Sequence, residues 1–154
     1  MLDPAFLADA PYAPEGLLID DVVEVDRAGS RVVARMPTHE DLPLTRTQRA
    51  HPVRHPRHIN GGLMVHMTGM VGFVHAYYVS DLRHADGWIG YGGRIQSARF
   101  RALAPPGEPI LIECVGVSER RSADKLLSNY RFKFTQGETL VYESLQTALW
   151  MKVA

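Results

Sequence analysis

The stretch that decides the fold is His58-Ile59-Asn60-Gly61-Gly62-Leu63-Met64-Val65-His66-Met67-Thr68-Gly69-Met70, where an asparagine and two glycines open an apolar run. Residues 61–79 contain no proline, and apolar side chains recur at spacings of three and four. This periodicity predicts one long helix over residues 61–79. Because the segment is apolar nearly all round, we expect other elements to wrap it.

Segments with strand composition lie on both sides of this helix. A turn-like stretch at residues 26–30 joins two β-branched segments, and further turns separate four apolar segments after the helix. The six predicted strands are Leu17–Val25, Arg31–Met36, Trp88–Ala102, Pro109–Glu119, Lys125–Thr135 and Thr139–Met151. The order predicts one α+β domain over residues 1–154, in which an antiparallel sheet curls round the helix. A lead at 1–14 and a proline-interrupted loop at 37–57 complete the chain, and such long loops are often functional.

Composition narrows the classes of function. Seventeen basic and seventeen acidic residues cancel, which argues against nucleic-acid binding and against a membrane-surface protein. The single Cys114 cannot form an intrachain disulfide, and the start of the chain lacks the basic and apolar pattern of a signal peptide. No apolar run approaches the roughly 20 residues of a membrane span. We expect a cytoplasmic enzyme or binding protein.

The loop before the helix is purely basic. No Asp or Glu occurs from Leu42 to Ser80, whereas the loop contains Arg46, Arg49, His51, Arg54, His55, Arg57 and His58. Guanidinium groups suit phosphate, which predicts a partner such as coenzyme A or a phosphopantetheine arm. A solvated basic loop is an equal alternative. A zinc site at the three histidines is disfavoured, because the arginines between them repel a cation and no Cys or carboxylate completes the ligand set.

The start of the helix is a candidate catalytic element. Asn60 is a favoured N-cap, and the missing Cβ atoms of Gly61 and Gly62 would let a substrate carbonyl approach the first amides of the helix. The positive end of the helix dipole favours developing negative charge there, so the pattern is typical of an oxyanion hole. Close packing of the helix start against a strand is the alternative.

His66 lies about one turn inside the helix and shares a face with Gly62, Met70 and Phe73. An imidazole titrates near neutral pH and can act as a general base, although a buried histidine hydrogen-bonded to backbone is the slightly commoner explanation. Two further features are interpreted as structural. Cys114 has no neighbouring base and fits a core position. The glycines of the Gly90–Gly93 segment are typical of a bulge or a close backbone approach.

The element order and the Asn60-Gly61-Gly62 helix start resemble the hotdog-fold superfamily of acyl-thioester enzymes, over about residues 15–151. Residues 17–25 look like the opening strand of its 3-hydroxyacyl dehydratases, and residues 97–101 with 106–108 look like the strand and turn after the helix. The resemblance implies a sheet wrapped round one helix. It also implies sites formed between subunits, and thus a homodimer or a dimer of dimers.

The catalytic pattern of the family is incomplete in this chain. The dehydratase carboxylate falls on His66, and the acid of the commonest thioesterase pattern falls on Gly69. One long-chain acyl-CoA thioesterase branch lacks the helix carboxylate and opens its helix after His-Phe-Asn, which His58-Ile59-Asn60 resembles. The loop histidine of the dehydratases has no unique match among His51, His55 and His58.

Hydrolysis needs only a polarised carbonyl and an oriented water, whereas dehydration needs a base and an acid. The resemblance and these residues therefore predict a thioesterase acting on an acyl-CoA or an acyl carrier protein, with no separate cofactor and no metal. A dehydratase using His66 and a non-catalytic acyl-binding module are the alternatives. The predicted catalytic set is His58, Asn60, Gly61, Gly62 and His66. The predicted substrate contacts are Met64, Met67, Met70 and Phe73 for the acyl group, and Arg54, Arg57, Arg99 and Arg101 for phosphate.

Overall fold

The computed structural model describes residues 1–153. Within that range one long helix packs against a single sheet, and two short helices precede it. The helices are α1 (Pro4–Asp9), α2 (Pro14–Leu17) and α3 (Gly61–Tyr78), with a 3₁₀ turn at His84–Asp86. The strands are β1 (Asp21–Asp26), β2 (Arg31–Met36), β3 (Trp88–Phe100), β4 (Ile110–Arg121), β5 (Lys125–Gln136) and β6 (Thr139–Lys152).

The sheet is antiparallel throughout, in the order β1-β2-β4-β5-β6-β3. Buried and exposed residues alternate along β5, as expected for a strand with one face on the core. Phe132 and Phe134 of β5 and Ile112 of β4 belong to the same buried cluster as Met67 and Val71 of α3. The predicted α+β architecture, a curved sheet around one helix, is confirmed.

The central helix begins and ends close to its predicted bounds. Asn60 is its N-cap, and the helix stops at Tyr78, one residue before the predicted end. Buried side chains occupy most of its turns, from Leu63 to Ala76. A helix that is apolar nearly all round therefore lies in the core, as its sequence predicts.

The prediction of a first strand beginning at Leu17 was wrong. Residues 14–17 form α2, Leu18 has a left-handed backbone (φ 54°), and β1 begins at Asp21. The lead also contains α1, whose Phe6 is buried against the rings of Tyr77 and Tyr78. Tertiary packing on the end of α3, rather than local strand propensity, determines the structure of this segment.

The predicted loop joins β2 to α3 over residues 37–60 without a helix or strand. An isolated bridge pairs His51 with His55, and Thr38 accepts a hydrogen bond from the Gly107 amide, which ties the start of the loop to the β3–β4 connection. No helix within residues 1–153 has the length and apolarity needed to cross a membrane.

Candidate active site

The first turn of α3 uses most of its amide donors internally. The Asn60 side chain accepts a hydrogen bond from the Gly62 N–H at 2.7 Å. The Leu63 and Met64 amides donate to the Asn60 carbonyl at 3.0 and 3.3 Å. The Gly61 N–H has no acceptor within residues 1–153. The predicted two-amide oxyanion hole is therefore reduced to one free donor, since Asn60 occupies the Gly62 amide.

Close contacts also explain why positions 61 and 62 are glycine. A Cβ atom at Gly61 would lie 2.6 Å from the Phe100 ring, and one at Gly62 would lie 2.9 Å from Oδ1 of Asn60. Real Cβ atoms do not approach so closely, so packing against a strand explains Gly61, whereas at Gly62 the close neighbour is the Asn60 cap itself. Phe100 is 59% exposed and its ring can shift. Close packing of Gly61 against Phe100 does not block its amide, because the N–H and the position of a Cβ atom point away from the backbone in different directions.

His58 is held with one ring nitrogen unpaired. Its Nδ1 lies 2.8 Å from the Pro56 carbonyl oxygen. A carbonyl only accepts, so Nδ1 carries the hydrogen and Nε2 of the neutral ring presents a lone pair. The ring of His55 packs edge-on against His58 at 4.5 Å between centroids. This arrangement is that of a general base whose tautomer is set by a backbone carbonyl.

Gln48 holds the backbone of His58 and was not anticipated from the sequence. Its Nε2 donates to the His58 carbonyl at 2.8 Å, and its Oε1 accepts from the His58 amide at 3.0 Å. The carbonyl of Gln48 in turn accepts from Arg57 at 3.3 Å. The Gln48 side chain thus makes with the His58 backbone the same pair of hydrogen bonds that a neighbouring strand would make. The sequence carries no signal for this contact, because the two residues lie in an aperiodic loop.

His58 and Gly61 border one cavity of about 250 Å³ at the start of α3. Its other walls are apolar, and Ile59 is tied to the Ala104 carbonyl at 2.8 Å, which fixes the segment between the two groups. No Asp or Glu from residues 1–153 lines this cavity. The site offers one base and one hydrogen-bond donor with no carboxylic acid.

His66 lies elsewhere on α3. Its Nε2 is 2.7 Å from the Gly16 carbonyl oxygen, and the Tyr12 ring packs edge-on against it. It lines a groove of about 480 Å³ with Gly69 and does not border the cavity of His58 and Gly61. Within one chain, the structure does not bring His66 to the glycine amides, and its contact with Gly16 supports the backbone-bonded alternative.

The predicted acyl-contacting residues are divided between several environments. Met64 borders the cavity at the helix start, whereas Met70 and Phe73 border the groove of His66. Met67 is fully buried in the core cluster and borders neither space. The helix periodicity identified the buried faces of α3 but could not distinguish packed core from cavity wall.

The predicted phosphate-binding arginines are also not assembled in one place. Arg57 pairs with Glu40 at 3.5 Å, and Arg101 pairs with Glu143 at 2.6 Å. The hydrogen bond from Arg101 lowers the pKa of the Glu143 carboxyl. Arg99 has no partner within residues 1–153 and borders an outer groove beside Arg131 and Lys133. Arg54 is exposed in the loop.

Neither Cys114 nor any cluster of possible metal ligands in the described residues forms a second site. Cys114 is fully buried, and burial raises the pKa of its thiol well above the ordinary value, so it is a core residue as interpreted from the sequence. Within residues 1–153 no group of three or more His, Cys, Asp or Glu side chains is arranged to hold a metal ion.

Several solved structures share the fold of this chain. No family model matches the sequence. A thioesterase from Haemophilus influenzae aligns with a TM-score of 0.65 at 16% identity, over 99% of this chain and 91% of its own. A mutant thioesterase from Pseudomonas aeruginosa gives 0.64 at 13% identity, over 97% and 93%. AziG from S. sahachiroi gives 0.61 at 18% identity, over 94% and 99%. At these identities the likeness establishes the fold alone, and the hotdog prediction is confirmed.

Proposed function

We propose that the protein is a thioester hydrolase that acts on an acyl-coenzyme A or an acyl carrier protein. The observation that carries the proposal is that His58, with an unpaired Nε2, and Gly61, with an unpaired N–H, both line one cavity. A base and a hydrogen-bond donor are what hydrolysis of a thioester requires. Thioesterases among the structures of the same fold support the choice.

In the proposed reaction, the thioester carbonyl oxygen accepts a hydrogen bond from the Gly61 amide at the positive end of α3. Nε2 of His58 takes a proton from water as the water oxygen bonds to the carbonyl carbon. The tetrahedral intermediate collapses with cleavage of the C–S bond, and the proton held by His58 passes to the leaving sulfur. The products are a carboxylic acid and a free thiol. Coenzyme A or phosphopantetheine enters as part of the substrate, so the reaction needs no further cofactor.

Dehydration of a 3-hydroxyacyl thioester is the weaker candidate. That reaction removes a Cα proton and protonates a departing hydroxide, which calls for a second titratable group. Neither the cavity of His58 nor the groove of His66 is lined by an Asp or Glu from residues 1–153.

We also propose that the enzyme is a homodimer built on the edge strand β3, alone or as a dimer of dimers. β3 pairs with β6 on one side, and its other edge has no partner strand within residues 1–153. Tyr91 and Ile95 on β3 are exposed, and a long exposed edge of this kind readily pairs with another chain. If the β3 strands of two copies pair antiparallel, with Gln96 of one opposite Gln96 of the other, Gly92 of one copy lies beside Phe100 of its partner. The Gly61 cavity of each copy would then adjoin the groove of the second.

The phosphate end of the substrate is assigned to arginines that form no ion pair in the described part of the chain. Within residues 1–153, Arg54 in the loop and Arg99 on β3 make no ion pair. Arg131 and Lys133 add positive charge beside Arg99, and the carboxylate that lines the same groove, Glu143, already pairs with Arg101. Guanidinium groups suit the phosphates of coenzyme A or a carrier arm.

The test is to incubate the purified protein with acetyl-, butyryl-, benzoyl- and palmitoyl-CoA and to measure thiol release with a colorimetric thiol reagent. We expect turnover of at least one ester, and its loss in His58→Ala. Absence of thiol release with all four would contradict the hydrolase. Hydration of crotonyl-CoA in its place would support the dehydratase, and a raised melting temperature with no reaction would support a binding module.

A further inference from the structure

A recess lies beside α3, about two turns beyond Gly61. It has a volume of about 80 Å³ and opens into the groove of His66. Its walls are largely aromatic: Phe73, Tyr91, Tyr130, Phe132 and Trp150. Protein interiors are normally packed without such spaces, so the recess needs an explanation.

Glycines create the recess. A Cβ atom at Gly69, Gly72 or Gly92 would meet no atom within 4 Å, and all three residues border the space. None of the three has a positive φ that would require glycine. Gly72 is buried in the interior of a helix, where alanine is the more stable residue. What glycine preserves at position 72 is therefore the space itself.

Gln146 lines the recess and has one uncommitted hydrogen-bond acceptor. The Thr68 hydroxyl donates its single hydrogen to the Val65 carbonyl at 2.6 Å, so toward Gln146 it can only accept. The group facing it at 2.8 Å must therefore be Nε2 of Gln146, which also lies 2.8 Å from Ser144 Oγ. Oε1 of Gln146 receives no hydrogen bond from residues 1–153.

We infer that the recess is the acyl-specificity pocket, and that it selects a compact acyl group bearing a hydroxyl that donates to Gln146. The inference rests on the hydrolase and the dimer proposed above. Gly69 lies about 12 Å along α3 from Gly61, which a compact acyl group cannot span within one chain. Pairing through β3 would place the recess of one copy beside the Gly61 cavity of the other. The recess measures only about 80 Å³ and opens outward, so part of a compact acyl group can enter it but a long chain does not fit.

The first test compares esters that differ only by a hydroxyl: 3-hydroxybutyryl-CoA with butyryl-CoA, and 3-hydroxybenzoyl-CoA with benzoyl-CoA. We expect kcat/KM to favour the hydroxylated member of a pair by about tenfold or more, because the analogue that lacks the hydroxyl leaves the Gln146 acceptor unpaired. In Gln146→Leu the ratio should fall to about one. Asn129→Leu removes an amide from the outer face of β5 and should keep the wild-type ratio. Equal rates in the wild-type protein, or an unchanged ratio in Gln146→Leu, would overturn the inference.

The second test fills the recess. Gly72→Ala adds a methyl group to the empty space and improves helix propensity. We expect a higher melting temperature together with a severalfold loss of kcat/KM for benzoyl-CoA relative to acetyl-CoA. An unchanged ratio of the two esters, or a wild-type preference for palmitoyl-CoA, would contradict the assignment.

Failure of the hydrolase and failure of the pocket are distinguishable by binding. If the wild-type protein releases no thiol from any ester, calorimetric titration with the same ester pairs replaces the kinetic ratio. Tighter binding of the hydroxylated member in the wild type, lost in Gln146→Leu, would support the pocket while the hydrolase fails. Equal affinities would reject the pocket as well.

Discussion

The two ends of the central helix differ in how far a ligand can reach their polar groups. At the start of α3, Gly61 and His58 line one cavity, and the Gly61 amide and Nε2 of His58 lack partners within residues 1–153. Near its end, His75 is fully buried, with Nε2 3.0 Å from both the hydroxyl and the carbonyl oxygen of Ser30. His75 also has an unpaired nitrogen, Nδ1, but that nitrogen is buried in the core, whereas His58 borders a cavity that a ligand can enter. An unpaired nitrogen alone therefore does not locate a site; an unpaired nitrogen on a residue that lines a cavity does.

The largest expected effect is a difference in kcat between substitutions of His58 and His66. His58→Ala should lower kcat by about 10²- to 10⁴-fold, because it removes the proposed general base. His66→Ala should change kcat by less than about tenfold, since His66 is bonded to the Gly16 carbonyl. Thiol release under saturating acyl-CoA measures both. A larger loss in His66→Ala than in His58→Ala would reverse the assignment of the base.

A smaller effect is expected from the residue that positions the base. Gln48→Leu removes both hydrogen bonds to the His58 backbone, so the ring is less well oriented, and we expect kcat to fall by about tenfold. Gln48→Glu keeps the acceptor for the His58 amide and should retain more activity than Gln48→Leu. Equal kcat values for these two variants would show that Gln48 does not act through His58.

The smallest effect concerns stability at the closed end. Burial lowers the pKa of His75 below its ordinary 6.5, and the Ser30 backbone and Glu119 oppose the shift. The unfolded chain then binds a proton near pH 6.5 that the folded chain does not. The free energy of unfolding should therefore fall as the pH drops below about 6.5, by at most about 1.4 kcal/mol per pH unit from this residue, and not above it.

The measurement is urea unfolding at pH 7.5 and pH 5.5 for the wild type and for His75→Gln. The variant is less stable at both values because the Ser30 contacts change, but the extra loss at pH 5.5 should shrink. An identical pH dependence in the two proteins would mean that His75 is not the group that titrates.

Much of the fold was predictable because its signals are local. The spacing of Leu63, Met67 and Val74 identifies α3, and the punctuated apolar runs identify five of the six strands closely. The first strand was placed too early because Leu17 and Ile19 have strand-like composition. Packing of the N-terminal lead on α3 is a tertiary effect that such composition does not report.

The site was predictable only in part. Asn60 and Gly61 mark the helix start by residue type, but the capture of the Gly62 amide by the Asn60 side chain is visible only in three dimensions. His58 is one of several loop histidines, and its contact with the Pro56 carbonyl distinguishes it. Gln48 and Gln146 act through the far ends of flexible side chains, so no spacing rule identifies them.

The central claim is that the free Gly61 amide stabilises the transition state. Gly61→Pro removes that N–H at the first helical position, where proline is well tolerated, and Asn60 already has the extended backbone that suits a residue before proline. Gly61→Ala adds a Cβ against Phe100 in the same way but keeps the amide.

The decisive measurement is kcat of Gly61→Pro relative to Gly61→Ala, with melting temperatures as the control for folding. The predicted result is that the proline variant is slower by about 10²- to 10³-fold while the two proteins melt within a few degrees of each other. Equal kcat values in two folded proteins would contradict a role for the amide.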